Sequence, residues 1–176
     1  MTNEMMDRLF MQEALKLAKT AAEKDEVPVG AVIAFQNKVI AKAHNQVETL
    51  HDPTAHAEMI AITQAANTLG CKWLKDCTLY VTIEPCSMCA GALVLARIDR
   101  LCFGADDPKT GACGSIVNIA AHHQLNHKIA VQSGLLADES AHLLSDFFRK
   151  KRHKAQNNTA HRRIEKRFNR HEDYLQ

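Results

Sequence analysis

Two short stretches, His56-Ala57-Glu58 and Pro85-Cys86-Ser87-Met88-Cys89, constrain this chain more tightly than anything else in it. The first sets an imidazole and a carboxylate two residues apart. The second sets two thiols three apart behind a proline, the residue favoured at the opening of a helix. On such a first turn the Cys86 and Cys89 sulfurs share one face. A fold that uses these side chains together must bring two helix starts to one point, and α/β folds form such points outside the ends of their strands. Alone the first stretch is a weak signal and the second a moderate one, since a C-x-x-C also fits redox or structural metal chemistry. Together they offer the imidazole nitrogen and thiolate sulfurs that zinc takes, three protein ligands with a fourth place for water. Glu58 separates a catalytic from a structural site. A structural zinc needs a fourth ligand and no free base, whereas a carboxylate beside a metal-bound water can carry its proton.

The remaining sequence supplies a frame for that meeting point. Apolar residues at helical spacing from Met6 to Ala22 predict an amphipathic helix over residues 4–24. Two runs rich in Val and Ile, residues 27–35 and 38–45, flank the polar pair Gln36-Asn37 and predict a β-hairpin. His51-Asp52-Pro53-Thr54 reads as a turn, with Thr54 as N-cap of a helix over 55–69 that Gly70 closes. Residues 77–84 read as a strand, 86–96 as a helix, 100–105 as a strand, 115–121 as a short helix, 128–135 as a last strand and 137–152 as a last amphipathic helix. This order predicts an α/β fold: a three-layer α/β/α sandwich around a central mixed five-stranded sheet.

Charge divides the chain. From Arg149 to Gln176 there are ten Lys/Arg and three Asp/Glu, a net +7, while the rest carries twelve against seventeen, a net −5. Residues 153–176 lose the apolar period and form a basic tail. Its composition fits either a solvated, disordered segment or one that meets an anionic partner such as RNA. No apolar run approaches the ~20 residues of a spanning helix. The first residues carry Glu4, Asp7 and Glu13 and do not read as a signal peptide. A cytoplasmic protein is the expectation, in which Cys71, Cys77 and Cys102 serve as small buried hydrophobes. Cys113 lies in a glycine-rich loop.

The pattern His-Ala-Glu followed by Pro-Cys-x-x-Cys resembles the zinc-dependent cytidine and deoxycytidylate deaminase superfamily. Within it, "EVPVGAV", "AHNQ", "HDPTAHAE", "TLYVTIEPCSMCAGA", "FGADDPKTGACGS" and "GLLADESAHLLSDFFR" resemble the bacterial tRNA-specific adenosine deaminases. The similarity runs from about residue 5 to about residue 152, so residues 1–152 are read as the deaminase domain and 153–176 as the tail. The resemblance implies a cytidine deaminase-like sandwich, one zinc ion per subunit and a homodimer. It also implies conversion of the wobble adenosine of a tRNA anticodon to inosine, the tRNA being an arginine tRNA with an ACG anticodon. Carried over by motif, His56, Cys86 and Cys89 are the zinc ligands and Glu58 the proton shuttle. Asn45 hydrogen-bonds the purine, and Pro28 and Val29 line its pocket. Asp107, Lys109, Asn126, Phe147, Phe148 and Arg149 meet the splayed anticodon loop, one of the two phenylalanines being core. Glu84 is expected to hold backbone near the site rather than a metal.

Two other readings stay open on the sequence. One keeps the chemistry and changes the substrate to a free base or nucleoside, such as cytidine or guanine. The other is a zinc-stabilised RNA-binding module without catalysis, which leaves Glu58 unexplained.

Overall fold

The computed structural model describes the backbone of residues 3–172 and the side chains of residues 3–156. Helix α1 (Asn3–Glu23) leads into strands β1 (Gly30–Phe35) and β2 (Lys38–His44). Between them Gln36 and Asn37 have φ of 49° and 59°, the pair of left-handed residues that a tight hairpin turn requires. A one-turn helix α2 (Val47–Leu50) precedes α3 (Ala57–Leu69), β3 (Cys77–Ile83), α4 (Ser87–Leu95), β4 (Arg100–Ala105), β5 (Ala130–Gln132) and α5 (Ala137–Glu172).

The five strands form one mixed sheet in the order β2-β1-β3-β4-β5. β1 runs antiparallel to β2 and β3, while β3, β4 and β5 are parallel. Alternate residues face opposite sides, as the pleat dictates. Ala31, Ile33, Leu79, Val81, Leu101 and Phe103 join a buried cluster with Ala57, Ala61 and Ala65 of α3 and Ala90, Leu93 and Val94 of α4. Their neighbours Val32, Ala34, Tyr80 and Cys102 join a second cluster with Phe10, Met11, Ala14 and Leu15 of α1. Two apolar layers on two sheet faces make the predicted α/β/α sandwich. α3 and α4 lie on the same face, and this places the starts of both helices together.

The structure departs from the expected elements at identifiable places. Residues 115–121 form no helix; the backbone there is a loop closed by a Cys113–Asn118 bridge. Cys113 and Ser115 donate their N–H groups to Glu84, so the backbone is held from outside a helix. α3 begins at Ala57 with His56 as its N-cap, not with Thr54. The Asp52 carboxylate accepts from both the Thr54 N–H, 2.8 Å, and its hydroxyl, 2.7 Å, which spends Thr54 on the turn before the helix. Gly70 does close α3, in the left-handed region at φ 61°. β5 shrinks to three residues. Cys77 and Cys102 are buried as expected, but Cys71 is exposed. The last helix does not stop near Arg152. Residues 137–172 contain no Gly or Pro, and α5 continues to Glu172; Asp173 to Gln176 of the basic tail lie outside the described residues.

The described residues fall into two compact units, one ending at Leu144 and one starting at Ser145. In the first, a polar network with Asp7 and Tyr80 buried at its centre crosses the sheet face under α1. Asp7 accepts from the Tyr80 hydroxyl at 2.6 Å and, bidentate, from Arg100 at 2.8 and 2.6 Å. Arg100 also donates to Gln132 of β5. In the second unit Phe147 is buried and Phe148 is 41% exposed. Arg149 pairs with Asp146 at 2.7 Å and Lys151 sits over the Phe147 ring. No helix among the described residues is long and apolar enough to cross a membrane.

The Arg100 hydrogen bonds hold the Asp7 carboxyl below its ordinary pKa against the opposing effect of burial. A carboxylate depressed in this way stabilises the fold above its unfolded pKa, and that contribution is lost as pH falls through the folded value. Asp7→Asn is therefore expected to cost about 2 kcal/mol at neutral pH, the scale of hydrogen bonds to a charged group. Denaturant midpoints of the two proteins should converge as the pH drops below about 4; a gap that stays constant down to that range contradicts this assignment.

Candidate metal centre and active site

Strand β3 ends at Ile83, and the next three residues, Glu84-Pro85-Cys86, turn the chain into α4. Cys86 is the N-cap of α4 and His56 the N-cap of α3. Each caps in extended conformation, at ψ 174° and 152°, and neither makes a side-chain capping hydrogen bond, although the Cys86 sulfur takes the Cys89 thiol of its own helix. The carbonyls of both residues accept the first bond of their helix, from Ala90 at 2.8 Å and Ile60 at 3.1 Å. Both side chains are thus released from capping and face each other where two helix N-termini converge. Unpaired N–H groups and the positive ends of two helix dipoles favour anions at such a point.

The His56 Nδ1 atom lies 3.7 Å from Cys86 Sγ and 3.5 Å from Cys89 Sγ. Among the described residues this is the one group of His, Cys, Asp and Glu side chains arranged to hold a metal ion, with all ligand atoms within 4.8 Å of one another. A tetrahedral zinc, with Zn–S of ~2.3 Å and Zn–N of ~2.0 Å, sets sulfur and nitrogen ligands about 3.5 Å apart. The observed separations fit, and so does the donor set. Protonation tells the same story. The Cys86 thiol is lowered to about 4 by the hydrogen bond from the Cys89 thiol and by His56. Cys89 is pushed up by that same bond and by burial. The contact with Cys86 raises His56 despite burial. One thiolate forms readily, and the second forms when a cation replaces the shared proton, as metal binding with proton release requires.

Glu58 sits in the first turn of α3, 3% exposed, and its Oε2 has no hydrogen-bond partner among the described residues. Burial raises its pKa. A buried, unpartnered carboxylate oxygen beside two cysteines and a histidine is costly for stability alone. Its place next to a metal position fits a group that holds and passes a proton.

Two further buried carboxylates are fully partnered. Glu84, 2% exposed, accepts from the backbone of Asp107, Cys113 and Ser115 and from the Ser115 hydroxyl. It ties residues 107–115 against the Pro85-Cys86 turn, where Ala112 also donates to the Pro85 carbonyl at 2.9 Å. This agrees with its expected backbone-holding place. Gly111 is required there, because a Cβ would run into the Glu84 carboxylate. Glu26, fully buried, accepts from the Asn45 amide at 3.1 Å, from Thr49 N–H and hydroxyl at 2.7 and 2.8 Å, and from Glu48 N–H at 3.2 Å. A carboxylate can only accept, so Glu26 fixes which end of the Asn45 amide is nitrogen. Sequence reasoning missed Glu26. Its partners lie 19 to 23 residues away, and an acid after a helix end carries no local signal of them.

The other candidates divide by place. Asn45 is 5% exposed and donates its N–H to the Val29 carbonyl. Pro28 and Val29 are buried beside it. The adjacent Gln46 donates its N–H to the Ala55 carbonyl, next to His56, so this segment borders the candidate metal centre. Asp107 spends its carboxylate within its own loop, on Lys109 N–H, Thr110 N–H and the Thr110 hydroxyl. Lys109 and Asn126 are exposed on loops. Phe147, Phe148 and Arg149 belong to the unit that starts at Ser145.

Comparison with known proteins gives a consistent answer. Residues 5–152 match the family model of the MafB19-like deaminases. A tRNA-specific adenosine deaminase of Bacillus subtilis (strain 168) is 49% identical over 148 residues, 84% of this chain and 92% of that protein. One of Aquifex aeolicus (strain VF5) is 51% identical over 143 residues, 81% and 94% of the two chains. A solved structure from a study of A-to-I editing by tRNA:A34 deaminases at the wobble position of transfer RNA superposes with a TM-score of 0.75 at 47% identity. That match covers 77% of this chain and 99% of the other.

Replacing Glu84 by Gln would put an N–H₂ donor against N–H donors that now find an acceptor. The expected cost is about 2 kcal/mol of stability. Amide exchange should quicken selectively across residues 107–115; uniform exchange in both proteins would remove Glu84 from this role.

Proposed function

The chain belongs to the MafB19-like deaminases and, within them, to the tRNA-specific adenosine deaminases, and we propose that it converts the wobble adenosine of a tRNA anticodon to inosine. The reaction consumes water and releases ammonia: a C6–O bond forms and the C6–N6 bond breaks. The observation that carries the reading is the juxtaposition of His56, Cys86 and Cys89 with the buried, unpartnered Glu58 oxygen. The non-catalytic alternative has no use for that oxygen.

His56 through Nδ1, with Cys86 and Cys89 as thiolates, would hold a zinc ion, one in each subunit. Bound there, zinc supplies a water whose pKa falls towards ~7. Glu58 accepts a proton from the attacking water and delivers it to N1 of the adenine, then takes the proton of the newly formed C6 hydroxyl and passes it to N6, which leaves as ammonia. Burial suits it to this exchange, because a raised carboxyl pKa leaves the proton easy to hold between steps. Asn45 hydrogen-bonds the purine with an amide oriented by Glu26, and Pro28 and Val29 line the pocket wall. The adenosine leaves its stack to enter.

The finer partners follow from the same family. Asp107 and Lys109, on the loop that Glu84 anchors, meet the anticodon backbone, with Asn126, Phe147, Phe148 and Arg149 as further contacts. The exposed Phe148 is the ring suited to stack on a base, as readers of single-stranded RNA use aromatic faces; buried Phe147 is its support. A homodimer is part of this reading. An arginine tRNA with an ACG anticodon is the expected substrate and the cytoplasm the expected place.

The direct test is inosine and ammonia formation from an anticodon stem-loop with adenosine at the wobble position, run beside free adenosine, cytidine and guanine. Product from the stem-loop alone is expected; turnover of a free base or nucleoside alone would overturn the substrate assignment. Glu58→Gln should keep its metal and lose turnover by about 10²- to 10⁴-fold. Near-normal turnover with metal retained would end the proton-shuttle role.

A further inference from the structure

The family match ends at residue 152, yet α5 continues to Glu172. The two quoted relatives are covered over 92% and 94% of their own length while using only 84% and 81% of this chain. The last segment is thus an addition to the deaminase core that the site does not use. Residues 153–172 span about 30 Å as a helix, at 1.5 Å per residue. We propose that this extension is a second contact with the tRNA, seated on phosphates beyond the anticodon stem-loop. The proposal rests on the tRNA-deaminase reading above.

Charge and spacing carry it. Arg149, Lys150, Arg152 and Lys154 form a first, exposed basic group. Arg162, Arg163, Lys166, Arg167 and Arg170 form a second, with Arg162-Lys166-Arg170 and Arg163-Arg167 both stepping by four. Residues four apart are neighbours on a helix, so like charges at that spacing repel unless an anion lies between them. A polyanion relieves the repulsion and releases its own counterions in return. Offsetting the helix dipole does not account for the second group, because that effect is confined to the last turn. Arg162 and Arg163 lie more than two turns before Glu172. Basic charge spaced in this way positions a nucleic acid without reading bases, which suits the rest of a substrate whose anticodon is chosen at the candidate metal centre.

The test compares the full chain with a full-length variant carrying Arg162→Gln, Arg163→Gln, Lys166→Gln, Arg167→Gln and Arg170→Gln, changes that keep helix propensity. Binding to whole tRNA and to the isolated anticodon stem-loop is measured across about 50 to 200 mM salt. For whole tRNA the slope of log K against log salt should become shallower by about three or more, with at least tenfold weaker binding at the low-salt end. Stem-loop binding should change far less. An Arg163→Gln/Arg167→Gln double variant, a milder change, should lose about one to two units of that slope. Equal slopes on whole tRNA, or an equal loss on the stem-loop, would overturn the proposal. So would a change of oligomeric state in the variant that accounts for the lost affinity, which would assign the segment to a protein contact. Inosine formation from the stem-loop is followed separately: its absence from both proteins fails the deaminase reading, while the binding comparison still reports on the extension.

Discussion

Everything in the site depends on two helices, α3 and α4, being packed on one face of the sheet so that their first residues meet beyond the end of β3. The apolar layer made by Ala57, Ala61, Ala65, Ala90 and Leu93 against Ile33, Leu79 and Val81 sets that meeting. Small residues on α3 let the helix lie close to the strands. His56 and Cys86 then face each other as N-caps. A cap residue ordinarily bonds the first free N–H groups of its helix through its side chain; here neither makes such a capping bond, and both side chains face a common centre. Local capping energy is given up, and the candidate metal ligands gain the positive field of two helix ends.

Three buried carboxylates define how firmly this centre is held. Glu26 and Glu84 each collect four donors, and both have pKa values held low by those hydrogen bonds against burial. They act as fixed anchors, one for the Asn45 segment and one for the loop that carries Asp107 and Lys109. Glu58 is the opposite case: equally buried, one oxygen without a partner, its pKa raised. The same side-chain type is made rigid and ionised at two places and left available for a proton at the third. The difference lies in the supply of backbone N–H groups.

Much of the centre was legible because its parts are close in sequence and chemically narrow. His56, Cys86 and Cys89 could be assembled from spacing, since few folds bring an imidazole and a thiol pair to two helix starts. The hairpin at Gln36-Asn37 and the stop at Gly70 were legible for the same local reason. What was not legible depends on distant partners. Thr54 looks like a cap until Asp52 is seen to hold it. Residues 115–121 look helical until Glu84 is seen to take the Ser115 N–H and the Gly111 and Ala112 carbonyls those of Ile116 and Ile119. Glu26 gave no signal at all, and the length of α5 was underestimated because a loss of apolar period was read as a loss of helix.

Zinc-edge X-ray absorption on the full chain loaded with zinc tests the central claim most directly, since the site's chemistry follows from its ligand set. The account predicts one zinc per chain, with two sulfur ligands at ~2.3 Å and two nitrogen or oxygen ligands at ~2.0 Å, the latter being His56 and a water. Four sulfur ligands, or a spectrum unchanged when His56 is replaced by Ala, would contradict a centre built by these two helix starts.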